Sequence, residues 1–573
     1  MLVNAYHLPN ETVIKTDICI IGAGPAGIVL ARELRGQDTS ICLLESGGLK
    51  ADPRIQDLSN ASSTGDPFIS LQSTRYRQFG GNANVWSIKL KKLLNKEWEF
   101  GVRYIPLSDT DFEARDWVPN SGWPFSKADL DPYYAKAQTV AHSGPFDYDP
   151  DAWCKDGVQP LPLENTPFET AMFQFGPRSI YYTDYLEELK RSPNVTVYYN
   201  ATATELETDS GHQIRQVSCT NLSGKQFQIQ ANVFVLALGG IENARLMLLS
   251  QQHSSAGIGN EHDVVGRYFA DHPLVGLGFF YPNDVNIFNH TALYDFRHVN
   301  GHPVLGHLAL NRQVMEQEGL PNAGITLFPR PNVRQQKAIM AFKSLAEEFV
   351  ATKRLPSNLL SKLTQSVMGL EYVAFASYLA ATEGQSLCHG FGRGGWSEYP
   401  HNNRRFKCYD LLIQTEQVPD PNNRVTLSRD RDALGCYRAQ LHWEWGAANR
   451  TKVKRIQELL IKTFQETGLG RLEPKRKDGE PFLGGPAGMA HHIGTTRMHH
   501  DPRQGVVDAN QRVHSVSNLY ITGSSVFPTG GYANPTLTIL ALSLRLADHL
   551  KQHHINPGVP QQAVAHFPSL KIT

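Results

Sequence analysis

Cysteine is scarce and scattered in these 573 residues: Cys19, Cys42, Cys154, Cys219, Cys388, Cys408 and Cys436, with no CxxC among them. An odd, dispersed set gives neither a disulfide framework nor a zinc site, and it fits a reducing compartment. Charge of one sign is also missing. Lys+Arg and Asp+Glu both number 55, so the overall balance points to neither nucleic acid nor an anionic membrane. Long apolar runs are absent. The best candidate, Val367 to Ala381, is interrupted by Glu371 and falls short of the roughly 20 residues a span needs. A buried helix or a lid is expected there, and no transmembrane segment. Met1 to Asp17 lacks a basic start followed by an apolar stretch, so no secretory signal is read and a cytoplasmic location is expected. What remains is 41% apolar residues on a chain too long for one ordinary core, which predicts two or more domains.

The chemistry is concentrated at the two ends. Residues 17–21, DICII, are β-branched and read as a buried strand. They run into GAGPAGIVLARELRG, where Gly22, Gly24 and Gly27 form G-x-G-x-x-G at the mouth of a helix. In such a unit the first glycine makes the tight turn, the second lets a pyrophosphate approach the backbone, and the third lets helix and strand pack. The helix N-terminus then offers unpaired N–H groups to phosphate. The next strand, SICLLES, ends at Glu45, 18 residues after Gly27. A carboxylate there accepts hydrogen bonds from both ribose hydroxyls and repels a 2′-phosphate, which argues against NADP. The pattern alone leaves NAD and FAD open.

At the other end, NLYITGSS (with Gly523) reads as a strand leaving through small residues. After the PTGG turn, Asn534-Pro535 opens an apolar helix with Leu537, Leu540, Leu544 and Ala547 at helical spacing; Asn is expected at the N-cap and Pro at N1. Four histidines, His491, His492, His499 and His500, precede it, but no cysteine or carboxylate completes a metal set, so no metal is expected. Between the ends, 195–238 reads as a run of strands, and RVTLS with AQLHWEW suggests an antiparallel sheet. An Ala/Leu-rich helical insertion covers about 336–383.

The segments ICIIGAGPAGIVLARELRG, GGNANVWS, LALGGIENARLMLLS and VGRYFADHP, together with the C-terminal run, resemble the glucose–methanol–choline (GMC) flavoproteins, in particular the branch with the gluconate dehydrogenase flavoprotein subunit and pyranose 2-oxidase. The resemblance implies FAD. It implies that Gly80, Gly81, Asn82 and Asn84 lie along the flavin, with Ser87 near its reactive face, that Gly239 and Gly240 lie near the adenine half, and that Ala203 sets a backbone group against adenine. Pro535 and Thr536 would then present a helix N-terminus to the reduced flavin. Where some relatives carry a flavin-bonding histidine before the motif tryptophan, this chain has Val85 before Trp86, so non-covalent FAD is expected. The family's base lies three residues before the glycine of GT, which is His491 here, and its partner position falls on Asn534. Adjacent residues of an extended segment point apart, so His491 or His492 serves, not both.

The expected protein is α/β with an α+β substrate part. A discontinuous Rossmann-like FAD-binding domain (1–135, 190–275 and 485–555) joins a substrate domain with an antiparallel sheet (136–189 and 276–484), and 556–573 is a peripheral tail. Tyr372, Tyr378, His389, Trp396 and Tyr399 are candidate aromatics and polar groups for the substrate pocket. The expected reaction is hydride transfer from an alcohol or sugar carbon to flavin N5 with a histidine base. O2 or a dedicated acceptor or partner subunit would take the electrons. A lyase that keeps FAD structurally and an NAD-dependent dehydrogenase stand as alternatives.

Overall fold

The computed structural model describes all residues except 87, 92–96, 102, 156, 354, 357, 383–393, 399–400, 478–479, 482, 484–487 and 556–573. Two large sheets organise it. The first runs in the order Leu2–Asn4, Val195–Tyr199, Ile41–Glu45, Thr12–Ile21, Gln226–Leu236, Ile214–Thr220, Thr202–Thr208, with Leu519–Ile521 also paired to Gln226–Leu236. Its centre is parallel: Ile18 faces Ile41 on one side and Val233 on the other. Parallel strands are covered on both faces, which explains why Ile18–Ile21, Ile41–Leu44 and Val233–Leu236 are unbroken apolar or cysteine runs, all buried. The helix Pro25–Glu33 and the C-terminal helix Thr536–Leu550 pack against each other on this sheet.

The second sheet is antiparallel, in the order Gly470–Pro474, Leu274–Pro282, Cys408–Thr415, Ala323–Arg330, His302–Leu310, Phe168–Phe175, Arg103–Tyr104. The two segments expected to form an antiparallel sheet do pair, as Arg424–Arg431 with Tyr437–Trp443. They belong elsewhere, though, in a small sheet where Tyr437–Trp443 runs parallel to Ser62–Gly65 and buries Leu441 and Trp443.

The helical insertion is present as Val333–Thr352, Leu359–Met368 and Leu370–Thr382. The stretch Val367–Ala381 is not one buried helix. Gly369 breaks it, where a Cβ would come within 2.6 Å of Ala338 Cβ. Val367, Met368, Leu370 and Tyr378 face solvent, while Tyr372, Val373 and Ala376 pack inward. Among the described residues no helix is long and apolar enough to cross a membrane.

Candidate active site

A cavity of about 450 Å³ opens where the two sheets approach each other. Its floor is the glycine turn. Gly22 takes φ +109°, and a Cβ on it would strike Ala237 O at 2.6 Å. Gly27 lies so close beneath that its Cβ would sit 2.0 Å from Gly22 O. Gly24 has neither reason: its φ is −81°, and a Cβ there would meet no protein atom within 4 Å. It lines the cavity, as do Gly239 and Gly523, which are equally open. A glycine that the protein's own packing does not require leaves room for something that comes close to the backbone.

Glu45 stands beside this floor. Its Oε2 accepts from Ala23 N at 3.0 Å and its Oε1 from Gly47 N at 2.8 Å. Burial raises its pKa, while those two amides and Arg77 pull it back down. Arg75, Arg77 and Glu242 share the same wall. Arg77 reaches Glu242 at 2.7 Å and Ser46 Oγ at 3.0 Å, Arg75 also pairs with Glu242, and Arg245 bridges Glu242 (3.1 Å) to Asp432 (2.6 Å). Burial pushes the Glu242 carboxyl up, but the three arginines outweigh it and hold it near 2. Arg75, Arg77, Glu242 and Arg245 were not singled out by sequence; the arginines of TRYRQFGG just before the glycine motif were the available signal.

In the FGGNANVW loop, Gly81 and Asn82 line the cavity with Val85 and Trp86. The two asparagine side chains are occupied within the loop itself. Asn82 accepts from Tyr76 N at 2.9 Å and donates to Thr74 O at 2.8 Å; Asn84 donates to Phe79 O and Gly81 O, both at 2.9 Å. Gly80 turns the loop under Tyr182 and does not face the cavity. Ala203 is not on the main wall. It lines a small side chamber that shares Gly22, Ser46, Arg77 and Glu242 with it. Ser87 lies outside the described residues. Of the proposed pocket aromatics, Tyr372 and Trp396 are core and Tyr378 is exposed, and none of the three lines the cavity; His389 and Tyr399 lie outside the described residues.

At the far wall are His491, Asn534, Pro535 and Thr536. The helix begins at Thr536, with Pro535 rather than Asn534 at its N-cap, so the Asn534 amide does not cap it. Instead Asn534 Nδ2 lies 2.9 Å from His491 Nε2, and Asn534 Oδ1 accepts from Arg103 Nε at 3.0 Å. Arg103 also donates to Gln414 Oε1 at 2.8 Å and sits over the Phe173 ring. Burial lowers its pKa to about 10. The other edge of His491 meets His272, Nδ1 to Nδ1 at 3.0 Å. Burial, then the neighbouring His272, Arg103 and His492, drive the His491 pKa well below the ordinary imidazole value, so the ring is neutral. His492 lines the same cavity but turns its ring toward Phe68 and Phe269, with no hydrogen-bond partner at Nε2. Among the described residues no three His, Cys, Asp or Glu side chains gather to hold a metal ion.

A phosphate turn, a buried carboxylate and a neutral histidine facing one cavity mark a dinucleotide-dependent oxidoreductase. Comparison makes the class specific. Residues 419–543 match the GMC oxidoreductase family model. The chain is 23% identical to the fructose dehydrogenase large subunit of Gluconobacter japonicus, over 94% of this chain and 98% of that protein. It is 24% identical to 6'''-hydroxyparomomycin C oxidase of Streptomyces lividus, over 94% and 91%. A crystal structure of formate oxidase shares the fold, with a TM-score of 0.51 at 16% identity, covering 96% of this chain and 99% of that one. Over residues 419–543 the chain is thus similar to the GMC oxidoreductases, and it is an FAD-dependent oxidoreductase acting on hydroxyl donors.

The cavity fits that cofactor. Gly22, Gly24 and the N-terminus of Pro25–Glu33 would hold the pyrophosphate, Glu45 the ribose, and the backbone of Gly81, Asn82 and Thr536 the ring end.

Proposed function

We propose that this chain oxidises a secondary or primary hydroxyl of a sugar or small alcohol to the carbonyl, with His491 as the base and Asn534 as its hydrogen-bonding partner. The observation that carries the reading is the pair His491 Nε2 and Asn534 Nδ2, 2.9 Å apart on the cavity wall. A substrate oxygen that takes the place of their direct contact would give its proton to Nε2 and accept a hydrogen bond from Nδ2. His491 is suited to this because burial keeps it neutral, with its proton-accepting lone pair available. Asn534 cannot titrate, and Arg103 fixes which way its amide faces. FAD, when bound, supplies the acceptor for the hydride. Val85 has no atom to bond a flavin, so we infer that FAD is held without a covalent link.

The test is the anaerobic visible spectrum of the purified protein before and after addition of D-fructose, D-glucose, D-gluconate, 1,2-propanediol and an aminoglycoside, followed by air or a dye acceptor. Bleaching by one compound identifies the substrate, and the acceptor that restores the colour separates oxidase from dehydrogenase. His491→Ala is expected to slow bleaching by about a hundredfold or more, the usual contribution of a positioned general base; a variant that bleaches at the wild-type rate removes His491 from the role.

A further inference from the structure

The segment Asp271–His272 belongs to the VGRYFADHP motif, yet neither residue lines the cofactor cavity. Both are fully buried. Asp271 accepts backbone N–H groups from Met489 (3.2 Å), Ala490 (3.1 Å) and His491 (3.0 Å) in addition to His272 N (2.7 Å). Ala490 is held at φ +60°, a left-handed conformation that a residue with a Cβ keeps only where its surroundings impose it. The carboxylate of Asp271 thus fixes the turn that aims His491, and the ring of His272 meets the ring it aims.

The proton positions follow from a donor that cannot accept. Arg103 has only donors, so the Asn534 atom facing it is the amide oxygen and the atom facing His491 Nε2 is the NH2 group. His491 Nε2 therefore accepts. In a neutral ring the other nitrogen, Nδ1, then carries the hydrogen, and among the described residues its hydrogen-bond partner is His272 Nδ1 at 3.0 Å. His272 in turn carries its hydrogen on Nε2, which lies beside Gly530, is buried and meets no hydrogen-bond acceptor among the described residues.

We propose that His272 is a positioning residue that holds His491 in its Nδ1–H tautomer, so that the Nε2 lone pair faces the substrate hydroxyl. This rests on His491 being the base. Burial keeps both rings uncharged, His272 near 4 and His491 lower than its ordinary value, so the pair is stable as two neutral imidazoles. The charged or titratable groups facing His491 are His272, His492, Arg103 and, at its backbone, Asp271. Among the described residues no hydrogen bond joins Nδ1 to any of the others.

The test needs no substrate in its first arm. Holoenzyme labelled with ¹⁵N-histidine reports the protonation of each ring nitrogen through its ¹⁵N shift, and His491→Ala identifies the His491 signals. Wild type is expected to show His491 protonated at Nδ1, His272→Leu at Nε2 or as a mixture, and His272→Asn, whose amide oxygen can still accept from Nδ1–H, as wild type. A wild-type protein with His491 protonated at Nε2 overturns the inference.

The second arm is the limiting rate of anaerobic flavin bleaching by the panel compound that bleaches wild type. His272→Leu is expected to lower it about a hundredfold with the half-saturating concentration within threefold, since a wrongly protonated base costs turnover rather than binding. His272→Asn should remain within about tenfold of wild type. The double variant His272→Leu/His491→Ala should be no slower than His491→Ala alone. His272→Leu at full rate while His491→Ala is slow refutes the positioning role and leaves the base intact. His491→Ala at full rate refutes the base instead. Equal losses in the Leu and Asn variants also refute the role of an acceptor at this position.

Discussion

Replacing Arg103 separates two things this side chain does. Its guanidinium donates to Asn534 Oδ1 at 3.0 Å and to Gln414 Oε1 at 2.8 Å, and it is buried against Phe173. A hydrogen bond from a charged donor contributes about 1.5–3 kcal/mol. If that energy holds the Asn534 amide in register, its loss should slow flavin reduction by about tenfold to a hundredfold, at 1.36 kcal/mol per decade.

Stability should move the other way. Burial disfavours the Arg103 cation and lowers its pKa to about 10, so below that pH the folded state carries a cost of about 3 kcal/mol for keeping it charged. Arg103→Met keeps the length and removes that cost. It is expected to melt no lower than wild type while bleaching slowly. Arg103→Lys keeps a charge but not the fork, and should be slow as well. The assay is stopped-flow absorbance under nitrogen with the bleaching panel compound, beside thermal melting of the holoenzyme. Arg103→Met bleaching at the wild-type rate would refute the argument that this guanidinium sets the amide.

Gly24→Ala should weaken FAD binding by about tenfold to a hundredfold, the range for forcing a methyl into a filled site, measured by fluorescence titration of apoprotein. The melting temperature of the apoprotein should stay unchanged, because the added Cβ meets no protein atom and the backbone conformation suits alanine. Acid precipitation should leave the yellow colour in the supernatant, as Val85 offers nothing to bond the flavin; a yellow pellet would show a covalent link.

The nucleotide-binding end was legible because each of its rules is local. Gly22 needs its φ, Gly27 its closeness, and Gly24 its empty space, all within one strand–turn–helix. Glu45 followed from the length of that unit. The far wall was legible only in part. His491 and Asn534 could be named by resemblance, but Arg103 could not, since it sits on a two-residue edge strand and reaches Asn534 across 431 positions of chain. His272 lay in plain view within ADHP, yet its partner is set by tertiary packing that no spacing reports. The same holds for RVTLS and AQLHWEW, whose alternation predicted their pairing with each other but not the sheet they join. Asn534 was expected to cap the helix, as its residue type favours, and lost that role because Arg103 and His491 occupy its amide.

The cavity draws on Gly22, Gly24, Glu45, Gly81, Arg103, Gly239, His491, Gly523 and Asn534, widely separated along the chain. The glycine turn of its floor is therefore synthesised well before His491 and Asn534 of its far wall. The strand Leu519–Ile521, added alongside Gln226–Leu236, brings the final pieces into place. On a ribosome the nascent chain exposes an open phosphate turn while the several hundred residues between it and the far wall are made. Cofactor capture is then a late event in the life of each molecule, and cells short of FAD should accumulate folded but colourless protein that turns yellow on incubation with the dinucleotide.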